Sequence, residues 1–598
     1  MDKLKEGTIT PSQHPGMGAV LHDDGCTFRV WAPFARSVAV AGSFNAWSAS
    51  EKPLASEGNG YWSTDVPGVK ARDQYKLVLN GNTWKKDPYA KDVTGTGSQD
   101  NCIVADPSFD WGRDRFRTPA WNDLVIYELH LGTFNDEAGA PAGNLRTAMD
   151  RLDYLRDLGI SAIELMPPGE YPGIHSWGYN PSCIFAIESD LGNPLDLKEF
   201  IRQAHQRGIA VILDVVYNHF GPADLDLWRF DGWEENGGGG IYFYNDWRRN
   251  TPWGDTRPDY GRVEVRQFIR DNALMWLQEY SIDGLRFDST VNIQKGPGFA
   301  DIPDGWSLLQ WINNEIDARL PWKATIAEDL QKNQWITKTT DAGGAGFDMQ
   351  WDAGFVHPVR AAVIAAADES RDIYSIRDAI CGRYNDDAYE RVIYTESHDE
   401  VANGRARVPE EISPGAADNW FARKRSTLGA ALVFTSPGVP MIFQGQEFLE
   451  DQFFRDDIPL DWDRQNRFGG ISNLYRDLIR LRRNCGNNTR GLSGQYVNVH
   501  HLNNADKVIA FHRWSEGGQG DDVIVVANFS IRSFPDYTVG FPREGTWWVR
   551  FNSDYSGYSG DFGNFNGYDT RAESGWCDGM GFKGNVGVGP YSVLILSQ

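Results

Sequence analysis

Apolar runs of membrane-spanning length are missing from this chain of 598 residues, and so are closely spaced cysteines. Hydrophobic residues make up 41% of it, yet no stretch approaches the roughly 20 consecutive apolar residues that a transmembrane helix needs. The start, Met1-Asp2-Lys3-Leu4-Lys5-Glu6, has no apolar h-region. A signal peptide is therefore not expected and a cytoplasmic location is, with a secreted form trimmed of its leader as the alternative. The six cysteines, Cys26, Cys102, Cys183, Cys381, Cys485 and Cys577, show no CxxC spacing. That points away from a zinc site and fits unpaired thiols. Basic residues are also in short supply, 58 Lys and Arg against 82 Asp and Glu, a formal charge of −24. Such a balance argues against nucleic acid or an anionic membrane as partner. A neutral partner fits better, and some of the 23 Trp and 23 Tyr can stack on sugar rings, although most serve the core.

The length suggests several domains. The first hundred residues read as strands. Thr27–Pro33, Ser37–Gly42 and Tyr75–Leu79 run apolar or alternate between turn residues, as in a β-sandwich; this module is placed at 1–108. Trp47 and Trp84 suit either a sugar platform or packing. Beyond the loop Phe109–Asn122 the texture changes to strand-then-helix. Val125–Leu129 reads as a strand, and Leu145, Met149, Leu152, Leu155 and Leu158 repeat at helical spacing before Ile160–Met166. Further strands are expected at Ile209–Val216, around Leu285–Phe287, at Ala324–Glu328, Phe347–Trp351 and Val392–Thr395, and from Ala431–Phe434 with Met441–Phe443. Eight such units over 109–484 imply a multidomain chain with a central parallel (β/α)8 TIM barrel, with 217–262 as its largest insertion, forming a lobe over one end. Residues 485–598 read as a C-terminal antiparallel β domain.

The chemistry centres on Ser281-Ile282-Asp283-Gly284-Leu285-Arg286-Phe287-Asp288. On a strand, residues two apart share a face, so Arg286 and Asp288 point the same way. The cation orients the carboxylate as a nucleophile requires. An isolated pair of this kind reads more readily as structural; its company changes the reading. Catalytic groups of such barrels stand at the C-terminal ends of the strands, where this chain places Asp214 with Asn218 and His219, then Asp288, Glu328, and His398 with Asp399. An ionised carboxylate beside a second carboxyl of raised pKa is the apparatus of a retaining glycosidase. Asp288 and Glu328 are the natural pair, Asp399 stabilises oxocarbenium charge, and His219 and His398 donate to sugar hydroxyls. Calcium at Asn218 is the rival, but no EF-hand or HExxH spacing exists. No metal and no cofactor is expected.

Asp214-Val215-Val216-Tyr217-Asn218-His219, Gly284–Asp288, Ile326-Ala327-Glu328-Asp329 and Ser397-His398-Asp399 resemble, in order and approximate spacing, the four short motifs of the α-amylase family of glycoside hydrolases. Trp31-Ala32-Pro33, Gly42-Ser43-Phe44-Asn45 and Asp87-Pro88-Tyr89-Ala90 look like the starch-binding-type sandwich preceding the barrel in branching enzymes, isoamylases and maltooligosyltrehalose trehalohydrolases. The resemblance implies double displacement, with Asp288 as nucleophile, Glu328 as acid/base, Asp399 as stabiliser and Arg286 as orienting cation. It implies too that Tyr179, in Ser176-Trp177-Gly178-Tyr179, stacks under the sugar at the cleavage point, which His219 and His398 contact. The middle of the barrel, with Asn218–Pro222 and Thr251–Asp255, looks most like trehalohydrolases, whereas Glu396–Glu400 resembles branching enzymes. Expected first is cleavage of α-1,4-glucosidic bonds in malto-oligosaccharides or starch with some transglycosylation, in a monomer or small homo-oligomer. Branching is the close alternative and trehalohydrolase activity the third. A catalytically dead glucan-binding relative disagrees with the presence of all three acids.

Overall fold

The computed structural model describes residues 10–136 and 142–598; Met1–Glu6 lie outside them. Eight parallel strands close into a barrel: β1 (Ile126–Leu129), β2 (Ala162–Leu165), β3 (Ala210–Val215), β4 (Gly284–Phe287), β5 (Ala324–Ala327), β6 (Met349–Trp351), β7 (Arg391–Ile393) and β8 (Val439–Phe443). Their alternation decides what fills the middle. Ile126, Ala162, Ile212, Ile326, Met349, Val392 and Met441 pack together in one dry layer. Two residues further along the same faces come Glu128, Glu164, Asp214, Arg286 and Glu328. With a side-chain period of two, an apolar floor is thereby overlaid by a charged mouth.

The helices between the strands have recognisable starts. Asn193 caps Pro194–Gln206 through the backbone N–H groups of Leu195 and Asp196, with proline in the first turn. The Leu145 to Leu158 pattern is two short helices, Leu145–Met149 and Leu152–Leu158, split by a turn at Asp150 and Arg151. One strand expectation fails: Ala431–Phe434 belongs to the helix Trp420–Thr435, and β8 is formed by Val439–Phe443 alone. That helix is buried from Lys424 to Thr435, between the barrel and the last strand of the C-terminal domain. A short apolar run wrapped on all sides shows no helical period.

The front module packs a sheet of Gly18–His22, Gly25–Trp31, Ala55–Gly58 and Tyr61–Pro67 against a second containing Val38–Gly42 and Gln74–Leu79. Trp47 is half-buried against Ala39, Ala41 and Val78, and Trp84 is exposed. The insertion 217–262 reaches both the barrel mouth and the front module. Trp233 stacks on Phe34 at 4.8 Å, Tyr242 meets Trp31 edge-on at 5.7 Å, and Lys85 Nζ donates to the carbonyls of Asp226 and Trp228 at 2.8 and 3.1 Å.

Beyond residue 485 the α-helices end, and eight antiparallel strands between Tyr496 and Ser597 form one sheet. Lys424 and Asp554 lock it to the barrel, Nζ to Oδ1 at 2.7 Å with both side chains fully buried. Asp554 also accepts from the backbone N–H groups of Gly563 and Phe565. Removing one partner leaves the other charge buried. Lys424→Met is expected to lower unfolding stability by about 3–5 kcal/mol, measured by denaturant titration; an unchanged midpoint contradicts the buried pairing.

Candidate active site

At the mouth of the barrel a single buried guanidinium touches three acids. Arg286, on β4, is fully buried, and its Nη1 binds Asp214 Oδ2 on the neighbouring β3. The same nitrogen lies 3.3 Å from Asp288 Oδ1, and Nη2 lies 2.9 Å from Glu328 Oε2. The parallel register that pairs Asp214 with Arg286 across β3 and β4 makes this possible. Asp288 follows β4 and Glu328 follows β5 directly, so the strand ends deliver both carboxyls to one fork. Trp351 of β6 closes the far side, its ring 4.2 Å from the guanidinium carbon.

Each acid has a second holder. Asn218 Nδ2 donates to Asp288 Oδ2 at 2.6 Å and to its carbonyl oxygen at 2.8 Å. The amide oxygen of Asn218 meets His219 Nδ1, which ties His219 to the same cluster. The backbone N–H of Ser289 donates to Glu328 Oε2 at 2.8 Å. Tyr179 donates to Asp214 Oδ2 at 2.5 Å and accepts from Arg286 at 3.2 Å. Its ring lies parallel to His398 at 5.0 Å. His398 Nε2 stands 3.5 Å from Asp399 Oδ2, and the Asp399 side chain is 42% exposed, the most open of the acids. All eight residues singled out in the sequence, Tyr179, Asp214, His219, Arg286, Asp288, Glu328, His398 and Asp399, thus join one connected network.

The surroundings separate the protonation states. Burial pushes the Glu328 carboxyl up, to about 8, helped by the charges of Asp288 and Asp399 and opposed by Arg286. Burial likewise raises Asp214 to about 7 against the pull of Arg286. The histidines diverge. Burial takes His219 down to about 4 and keeps it neutral. Burial also works against charge on His398, but Asp399 and Glu128 outweigh it and lift that imidazole to about 9.

A family model for the α-amylase catalytic domain matches residues 129–229, one for the α-amylase C-terminal all-β domain matches 498–598, and one for carbohydrate-binding module 48, the isoamylase N-terminal domain, matches 16–90. A 1,4-alpha-glucan branching enzyme of Marinobacter nauticus is 30% identical over 90% of this chain and 88% of its own length. The one from Corynebacterium jeikeium is 31% identical over 94% of this chain and 81% of its own. The chain belongs to the α-amylase family. It is a glycoside hydrolase or transglycosylase with the family's three-domain plan. Among solved structures, a putative α-amylase from Salmonella typhimurium has the same fold, with a TM-score of 0.74 at 23% identity over 97% of this chain and 99% of its own. Pullulanase type I of Bacillus subtilis has it too, at 0.76 and 22% identity over 98% of this chain and 86% of its own.

Three parts of this α-amylase-family site escaped the sequence reading. Glu128 on β1 accepts from the backbone N–H of His398 at 3.1 Å and binds its Nδ1 at 2.5 Å. Glu164, its neighbour on β2, is held neutral by burial and by the adjacent Glu128 charge. Both are acids inside apolar strands, which was the available signal. Trp253, from the insertion, stacks on His219 at 4.5 Å and is 45% exposed; nothing in its local sequence points to that contact.

Glu128 acts through His398, so its removal is a test of positioning. Glu128→Gln is expected to lower kcat about 10²-fold, the cost of misplacing a group by about an ångström. It also drops the His398 pKa below the wild-type value, read by NMR of the imidazole. Unchanged titration of His398 contradicts the role.

Proposed function

We propose that this chain is a 1,4-α-glucan branching enzyme working by double displacement. Asp288 attacks the anomeric carbon of an α-1,4-linked glucose unit while Glu328, protonated, gives its proton to the departing oxygen. Two bonds change together: the glycosidic C–O bond breaks and a glucosyl–Asp288 ester forms. Asp399 stabilises positive charge on the ring. Glu328, now ionised, takes the proton from an incoming hydroxyl, which displaces Asp288 and restores the α configuration. A 6-hydroxyl of another glucan chain gives a branch; water gives hydrolysis.

The observation that carries this reading is relatedness at 30–32% identity, over 90% of this chain and 77–88% of their own length, to chains named 1,4-alpha-glucan branching enzymes, with the acid constellation complete. Arg286, reaching Asp288 and Glu328 with its two terminal nitrogens, supports a close carboxyl pair. Hydrolysis of malto-oligosaccharides is the second reading. It is favoured by Tyr217-Asn218-His219, where branching enzymes often differ, and by Thr251–Asp255, which resembles trehalohydrolases.

Incubation with amylose followed by linkage analysis decides between them. New α-1,6 linkages without a matching rise in reducing ends are expected; short reducing oligosaccharides alone mean a hydrolase, and free trehalose from trehalosyl-capped chains means a trehalohydrolase. Asp288→Asn and Glu328→Gln are each expected to lower turnover by several powers of ten with the fold intact, because each removes a whole step of the route. Near-normal turnover in either refutes the assignment.

The raised Glu328 pKa also fixes a pH dependence. As the acid of the first step, Glu328 must be protonated, so kcat/KM is expected to hold through neutral pH and to fall as pH rises through about 8. A profile already falling between about pH 4 and 5, the range of an ordinary glutamate, contradicts the role.

A further inference from the structure

The front module carries a second cluster of groups that the reaction does not use. His22 ends the strand Gly18–His22, whose Val20 pairs with Thr27, and Thr27 pairs in turn with Asp65. Directly opposed residues share a face, and so do residues two apart, which puts His22, Thr27 and Asp65 on one side of the sheet. His14, from the segment before the first strand, lies over that side with its ring parallel to that of His22, centroids 4.1 Å apart at 13°. One ligating atom from each of His14, His22 and Asp65 lies within 4.8 Å of the other two.

The carboxylate is oriented for a ligand. Its Oδ1 accepts from the hydroxyls of Ser12 and Thr27, both at 2.6 Å, and Ser12 Oγ also accepts from the backbone N–H of His14 at 3.1 Å. His22 Nε2 is buried and has no hydrogen-bond partner among the described residues. A buried imidazole nitrogen without a partner, a second imidazole stacked on the same ring, and a carboxylate within reach of both are a donor set in want of a cation.

We infer that His14, His22 and Asp65 form a binding site for one divalent transition-metal ion of the zinc class. Two imidazoles and a carboxylate are ligands for zinc or nickel and not for calcium, which takes oxygen donors. Donor atoms around tetrahedral zinc, with bonds of about 2.0–2.1 Å, stand about 3.3 Å apart. With the three atoms already within 4.8 Å of one another, closing the cluster takes a shift of at most about 1.5 Å, which rotation of the exposed His14 side chain can supply. The Ser12 and Thr27 hydroxyls would then serve as outer partners fixing the carboxylate. Such an ion would fasten the segment before the first strand onto the sheet.

Calorimetric titration of the full chain with zinc chloride tests this, beside His14→Gln and His22→Gln; His14→Gln replaces an exposed side chain whose ring packs on His22 alone among the aromatic rings described. One zinc per chain is expected, with a Tm that rises with zinc concentration because the ion binds the folded state. Each variant is expected to weaken zinc at least tenfold while keeping wild-type turnover on amylose, which shows that it is folded and that the ion is outside the reaction. Calcium is expected to give neither heat nor a Tm shift. No zinc uptake by the wild type, or wild-type affinity in either variant, overturns the site.

Discussion

Everything at the mouth of this barrel depends on one fully desolvated guanidinium. A buried arginine is tolerable only if carboxylates or other acceptors reach it, and buried carboxylates only if a cation or donors reach them. Arg286 and its three acids therefore require one another. The planar fork matters as much as the charge: two nitrogens address separate carboxyls while the flat face lies on Trp351. A lysine at this position would supply the charge without the geometry.

From that clamp the electrostatics of the site follow. Burial raises Glu328 and Asp214, whereas His219 is driven neutral and His398 is kept charged by Glu128 and Asp399. A glycosidase needs a carboxyl that carries a proton near neutral pH, and burial gives Glu328 that property. Charge begins directly above the apolar floor, with Glu128, Glu164 and Arg286 with its acids, and ends at Asp399 facing solvent. The insertion 217–262 completes the arrangement by laying Trp253 on His219 while its other end braces the front module. Barrel mouth and domain seam are thus joined by one segment.

Much of this was legible in the sequence because a strand end is a local event. Asp288 and Glu328 each follow an apolar strand at once, and a period of two puts Arg286 on the inner face without reference to the rest of the chain. The contacts made over long sequence separations were not legible. Glu128 lies 270 positions from His398, and Trp253 meets His219 only because a loop of irregular backbone folds back. The helix holding Ala431–Phe434 was misread for the opposite reason. Packed on all sides, it carries no contrast between faces, and apolar content without period cannot separate strand from helix.

The claim that Arg286 gathers a nucleophile and an acid about one glucose unit is most directly tested by catching the intermediate. Treating Glu328→Gln with an activated α-glucosyl fluoride, whose leaving group needs no acid, should let the first step proceed and slow the second. Mass spectrometry of the digested protein is then predicted to find a glucosyl ester on the peptide bearing Asp288. An adduct on any other residue, or turnover that releases β-configured sugar with no adduct at all, would contradict the account.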